Sequence, residues 1–321
     1  MKYFLTGGAG FIGSHLATAL LERGDSVVAY DDLSTGTASN LIHLTANPNF
    51  TFIEGSILDQ EKMEPYLREC DHVLHFAAAV GVFTIVDKPL HSLLTNLEGT
   101  ENVLELAAKY SLPFFLASTS EIYGKNSQVP LHEDSDRLLG SPLKARWSYS
   151  EAKAIDESMS YFYFDERGVR VRIARFFNTV GPKQVGHYGM VVPRFVNAAL
   201  AGETIKVYGE GTQSRAFCNV ADAIRGVLLL LDSDKAIGDV FNIGNNEEIS
   251  ILELAQRVVV LTNSTSKIEM IPYAEAYGSG FEDMQRRVPD ISKMEREFGW
   301  KPQISIDQTI VELASILRER S

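Results

Sequence analysis

The stretch TGGAGFIGSHL, Thr6 to Leu16, sets Gly8, Gly10 and Gly13 in the spacing G-x-G-x-x-G, and Gly7 adds a second, overlapping one. It follows the apolar run Lys2–Thr6 and opens a segment whose apolar positions Ile12, Leu16 and Leu20 recur every four residues up to Gly24. A strand that turns through glycines into an amphipathic helix aims backbone N–H groups and a helix N-terminus at a pyrophosphate. The glycines permit the tight turn, the close approach to phosphate and the packing of helix on sheet. Roughly 20 residues further on, the spacing this motif requires, Asp31 and Asp32 end a second β-rich run, Ser26–Asp31. A carboxylate there accepts hydrogen bonds from the adenosine ribose and repels a 2′-phosphate, so NAD is expected rather than NADP. Gly7, Gly10, Phe11, Ile12, Gly13, Asp31 and Asp32 are the expected cofactor contacts. Ser56 and Ile57 are expected beside the adenine, and Phe76 and Ala77 beside the pyrophosphate and ribose.

Working outward, β-branched or aromatic runs alternate with helix-period segments at residues 50–54, 72–76, 114–118 and 170–176. That alternation predicts an α/β, Rossmann-type doubly wound parallel sheet. After about Asn178 the pattern loosens, with a short strand at Val240–Ile243 and a helix at Ile251–Leu261. The expected division is a dinucleotide-binding domain over residues 1–178, with a later interleaved segment near 213–245. A smaller substrate lobe is expected over most of 179–321.

The formal charge of −12 argues against a general nucleic-acid binder, which needs a basic surface. An anionic ligand must then be held by a few local arginines. Two cysteines, Cys70 and Cys218, are too few for a disulfide framework. No apolar run approaches the roughly 20 residues of a membrane span, and no cleavable leader is evident at MKYFLTGG, so the cytoplasm is the expected location. No metal is expected: His72 and His75 are three apart on a strand and point to opposite faces. The acidic pair Glu282 and Asp283 lies beside Arg286 and Arg287, which reads as an ion network.

STSEIYG (Ser118–Gly124) follows the fifth β run, and SYSEAK (Ser148–Lys153) comes later. Tyr149 and Lys153, four apart, share one face of a helix. A phenol with an ordinary pKa near 10 is a poor base unless a cation stabilises its phenolate, and Lys153 is that cation. Beside a nicotinamide, the pair can take a proton from a sugar hydroxyl as hydride leaves the same carbon.

TGGAGFIG, the Tyr-x-x-x-Lys pair, FFNTVGP from Phe176 and VYGEGTQSRAF from Val207 resemble the extended short-chain dehydrogenases/reductases that act as nucleotide-sugar epimerases, dehydratases and decarboxylases. STSEIYG, HEDSDRLLGSPLKARWSYSEAK and YGSGFEDMQRRVPDISK (Tyr277–Lys293) resemble the UDP-glucuronate decarboxylase group. The resemblance implies Thr119 as partner of the sugar O4, Glu121 as the carboxylate working near C5, Ser120 as an assistant, and Arg287 as an arginine facing the centre. It also implies contacts to uridine diphosphate from Asn178, Val191, Val207, Tyr208 and Arg215. The expected activity is NAD-dependent oxidation of UDP-glucuronate at C4 followed by decarboxylation to a UDP-pentose or its 4-ketone. The alternative is a UDP-sugar 4-epimerase, and beyond it a 4,6-dehydratase or a non-catalytic NAD-binding protein. The loop from Ala77 to Leu90 is closer to epimerases. The resemblance further implies a homodimer whose helices near residues 93–110 and 149–167 pair through positions such as Leu97, Leu104, Met159 and Phe162.

Overall fold

The computed structural model describes residues 1–79, 88–184, 190–273, 275 and 284–319. In the first half, β1 (Lys2–Thr6), β2 (Ser26–Asp31), β3 (Phe50–Glu54), β4 (His72–His75), β5 (Phe114–Thr119) and β6 (Val171–Phe176) alternate with α1 (Phe11–Glu22), α2 (Gln60–Leu67), α3 (Pro89–Lys109) and α4 (Ser148–Arg167). The second half carries β7 (Thr179–Val180), α5 (Val191–Leu200), β8 (Ile205–Tyr208), β9 (Ser214–Ala216), β10 (Cys218–Asn219), α6 (Val220–Leu231) and β11 (Asp239–Ile243). After these come β12 (Glu248–Ser250), α7 (Ile251–Leu261), β13 (Ile268–Ile271), β14 (Arg286–Arg287), α8 (Ser292–Phe298) and α9 (Ile306–Glu319).

Seven strands form one parallel sheet in the order β11-β6-β5-β4-β1-β2-β3. Their apolar runs follow from helices covering both faces. One face packs on α1, α6 and α8 through residues such as Leu16, Val227 and Met294, the other on α2 and α3 through Met63 and Val103. A third core, with Phe195, Leu254 and Ile310, joins α5, α7 and α9. The strand order reverses between β1 and β4, so the loops leaving them part and open a crevice at their carboxyl ends.

The predicted strands match within a residue or two. β4 stops at His75, and the next amide, Phe76 N–H, is shared between the Thr6 carbonyl oxygen and Thr6 Oγ1, each at 3.2 Å. The very short β7, β10 and β14 escape sequence reading because a pair of residues has no period to detect. One of them matters for function. β14 lies parallel to β9 and sets Arg287 opposite Arg215, so a late segment is held beside the carboxyl end of the main sheet.

Candidate active site

The glycine turn has the shape its sequence implies. Gly7 has φ +71°, and a Cβ there would stand 2.6 Å from the Ala77 nitrogen. At Gly13 a Cβ would overlap the Gly7 carbonyl oxygen, so α1 can sit this close to β1 only without a side chain. α1 begins after Gly10 with no side-chain cap and no acidic residue in its first turn, which leaves its N–H groups and positive dipole end for an anion. Phe11 and Ile12 are half-buried at that first turn. These features fit a dinucleotide.

Asp31 lies at the tip of β2, where its carboxylate accepts from Ala9 N at 2.9 Å and Leu33 N at 2.8 Å. Burial raises its pKa, and those two amides oppose the rise. It therefore fastens the glycine turn to β2 in addition to facing the crevice. Asp32 is exposed and accepts from Ser34 N at 3.0 Å. Ser56 Oγ accepts from Leu58 N at 3.3 Å, and Ile57 is buried against Gly99 of α3. Phe76 stacks on Phe115 with ring centroids 5.6 Å apart, and Ala77 N donates to Thr6 Oγ1 at 3.2 Å.

The chemical residues converge at the end of β5. Thr119 is its last residue, and its Oγ1 accepts from Glu121 N at 3.2 Å in the short turn Ser120–Tyr123. Ser120 is buried in that turn. Tyr149, in the first turn of α4, hydrogen-bonds the Thr119 side chain. Arg146 Nη1 donates to Glu121 Oε2 at 2.6 Å, and Arg287 Nη1 donates to Glu121 Oε1 at 2.5 Å. Burial alone would raise the pKa of Glu121, but the two guanidiniums outweigh it and hold it at about 2. Glu121 is thus a carboxylate held as an anion between two guanidiniums. One of the two belongs to Arg146, which sequence reading missed. It sits three residues before Tyr149 in a short turn, Ala145–Trp147, with no pattern to mark it.

Lys153 also differs from expectation. Its ammonium lies 3.2 Å from Asp156 Oδ2, with side-chain exposures of 2% and 0%. Burial chiefly, then the negative charges of Glu121 and Asp156, raise the Tyr149 pKa above its ordinary 10, while the Thr119 bond opposes the rise. The i,i+3 spacing of Lys153 and Asp156 was readable on the predicted helix. Below the site, Arg175 Nη2 donates to Glu157 Oε2 at 2.7 Å, Arg175 Nη1 to Tyr123 Oη at 2.9 Å, and Ser118 donates to Glu157, which ties α4 to β5 and β6.

Of the expected substrate contacts, Asn178 Nδ2 donates to Ala216 O at 3.0 Å, and Val191 opens α5. Arg194 lies over the Tyr208 ring at 4.2 Å, and Arg215 Nη1 donates to Ser214 O at 2.8 Å. Val207 is corrected: its side chain is fully buried among the third core, so only its backbone is left for a ligand. His75 bonds Thr6 and Thr100, while the His72 ring lies 5.3 Å from that of Tyr3. Glu282 and Asp283, and most of the loop after Ala77, lie outside the described residues. Arg286, which sequence reading put in an ion network with them, pairs with Glu248 at 2.6 Å.

A glycine turn entering α1, a carboxylate ending β2 and a Tyr-x-x-x-Lys helix beside β5 define an extended short-chain dehydrogenase/reductase. The chain belongs to the family described as GDP-mannose 4,6 dehydratase, whose model matches residues 4–313. It is 40% identical over 319 residues to a UDP-N-acetyl-alpha-D-glucosaminuronate decarboxylase of Bacillus cytotoxicus, covering 99% of this chain and 98% of the relative. It is 38% identical to UDP-glucuronic acid decarboxylase 1 of Danio rerio, covering 96% of this chain and 70% of the relative. Among solved structures it resembles UDP-glucose 4-epimerase with UDP-glucose from Thermotoga maritima (TM-score 0.90, 30% identity, 100% and 99% of the two chains). It also resembles dTDP-glucose 4,6-dehydratase from Streptomyces venezuelae with NAD and TYD bound (TM-score 0.89, 30% identity, 99% and 97%).

Proposed function

We propose that the protein oxidises C4 of a UDP-hexuronate and decarboxylates the resulting 4-keto acid, with UDP-glucuronate as the expected substrate. The glycine turn from Gly7 to Gly13 and the tip of β2 at Asp31 would hold NAD, with Ser56 and Ile57 toward the adenine and Phe76 and Ala77 toward the pyrophosphate. When bound, NAD supplies the acceptor for the C4 hydride. Tyr149 takes the O4 proton, and Thr119 holds that oxygen.

Oxidation leaves a ketone β to the C6 carboxylate. The C5–C6 bond then breaks, its electron pair moves onto the ketone oxygen as an enolate, carbon dioxide leaves, and water supplies the proton that returns to C5. Tyr149 and Thr119 stabilise the enolate oxygen through hydrogen bonds already in position. Asn178, Val191, the Val207 backbone, Tyr208 and Arg215 are assigned to the uridine diphosphate, within a lobe drawn mainly from residues 179–321.

The observation that carries this reading is the Arg146–Glu121–Arg287 cluster beside Tyr149. Arg287 spends Nη1 on Glu121, while its buried Nε has no partner among the described residues. A donor left open suits a carboxylate oxygen, whereas a neutral hexose brings no such charge. The Bacillus relative's name favours a variant of the same reading, in which the sugar carries an acetamido group at C2. The likeness to the Thermotoga enzyme favours a C4 epimerase instead. Mass spectrometry after incubation with NAD and each of UDP-glucuronate, UDP-N-acetylglucosaminuronate and UDP-glucose decides among them. A uronate should lose the mass of carbon dioxide and UDP-glucose should not. Unchanged mass with an inverted C4 overturns decarboxylation.

We further propose that α3 and α4 pair with their copies in a homodimer. Leu90, Leu94, Ile155, Tyr161 and Phe162 expose apolar surface on these helices, Phe162 to 53%. Of the positions that could equally serve the core, Leu104 of α3 is fully buried in it, and Met159 packs partly against the same core. Phe162→Glu should convert a dimer into a monomer by light scattering at micromolar concentration. Wild-type protein that is already monomeric rejects the interface.

A further inference from the structure

Five polar side chains line up, buried, from the cofactor crevice to the catalytic lysine. Thr6 Oγ1 accepts from both Phe76 N and Ala77 N at 3.2 Å, which leaves its own proton for His75 Nδ1 at 2.8 Å. Burial, then the charge of Lys153, hold the His75 pKa well below its usual value, so the ring is neutral. A neutral ring that accepts at Nδ1 carries its proton on Nε2. That proton goes to Thr100 Oγ1 at 3.1 Å. Beyond Thr100 stands Asp156, whose Oδ2 lies 3.2 Å from Lys153 Nζ and whose two buried oxygens have no hydrogen-bond partner among the described residues. Thr6 and His75 donate toward Thr100, while the Lys153 ammonium faces Asp156 from the other side. Burial raises the Asp156 pKa, while Lys153 and Thr100 oppose that rise.

We propose that Asp156 is a positioning residue that holds Lys153 and offsets part of its charge, and so sets the pH at which Tyr149 becomes a base. The inference rests on Tyr149 acting as the base in the reading above. Other charges around the pair are already engaged. Glu157, the next residue of α4, is taken by Arg175 of β6 and by Ser118 of β5. Glu121, from the turn after β5, is taken by Arg146 and Arg287, and His75 of β4 is neutral. Asp156 is therefore the anion in direct contact with Lys153. An ammonium paired this closely stabilises a phenolate less than a free one does.

Asp156→Asn keeps the size and an acceptor oxygen but removes the charge. Lys153 then acts more fully on Tyr149, the phenolate is favoured, and the phenol pKa falls. The expected shift is on the order of one pH unit downward, the scale of a neighbouring charge. It should appear in the acid limb of the kcat/KM profile. It should also appear in the 13Cζ resonance of Tyr149 in NAD-bound protein without sugar, assigned by its loss in Tyr149→Phe. Thr100→Val, which removes the hydroxyl that stabilises the Asp156 anion, should move the resonance the same way by less, and Asp156→Glu should restore the limb. If Asp156→Asn merely lowers the melting temperature and leaves the Tyr149 titration unchanged, or moves it upward, the proposal fails. The resonance needs no turnover, so it stands or falls separately from the identity of the sugar.

Discussion

Tyr149→Phe should slow C4 oxidation by about 10²–10⁴-fold, the scale for removing a positioned acid–base group, with little change in binding of NAD or UDP-sugar. Phenylalanine fills the same space beside Thr119 and Lys153, so the crevice keeps its shape. What disappears is the phenolic oxygen, bonded to the Thr119 side chain and carried one helical turn from Lys153. Without it the O4 proton has no acceptor as the hydride departs, and because decarboxylation needs the C4 ketone, carbon dioxide release falls equally. Single-turnover absorbance of the reduced nicotinamide reads the first step and trapped carbon dioxide the second. A rate near wild type would move the base to another residue.

Glu121→Gln should cut carbon dioxide release by on the order of a hundredfold, the scale for misplacing positioning groups, while sparing much of the first hydride transfer. The glutamine removes the anion that two buried guanidiniums share, and an amide oxygen cannot hold both. Removing one member of a buried charge cluster strands the others, so Arg146 and Arg287 should leave their positions around C5 and C6. With Glu121 held at about 2, the loss reflects misplaced arginines rather than a missing proton carrier, and it should vary little with pH near neutrality. Wild-type protein turned over in deuterated solvent should place deuterium at C5. Its absence there, with normal inversion at C4, would make Glu121 a wall of an epimerase pocket.

The dinucleotide half of the molecule was legible because its constraints are local. A glycine that would overlap the Gly7 carbonyl and a carboxylate closing β2 leave fixed spacings in the chain. The Tyr149–Lys153 pair was legible for the same reason, being one turn of one helix. Arg146 was not, since a short turn carries no period, and its effect on Glu121 arises only once β5 and α4 pack together. Asp156 was not, since its i,i+3 spacing from Lys153 does not reveal that both side chains are buried. The burial of Val207 and Leu104 was not legible because motif position says nothing of which way a side chain turns when a core forms behind it.

Arg287 reaches Glu121 across a separation of 166 residues, carried by β14 on β9. As the polypeptide emerges from the ribosome, the crevice, Tyr149 and Lys153 can take shape well before Arg287 exists. On the proposed reading, the residues assigned to oxidation are therefore synthesised first and the arginine assigned to the carboxylate last. A chain ending ahead of β14 would lack Arg287 and, with α8 and α9, the side chains Met294 and Ile310 that complete two of the cores. Joining the two through one short strand makes competence for the whole reaction a property of the finished chain.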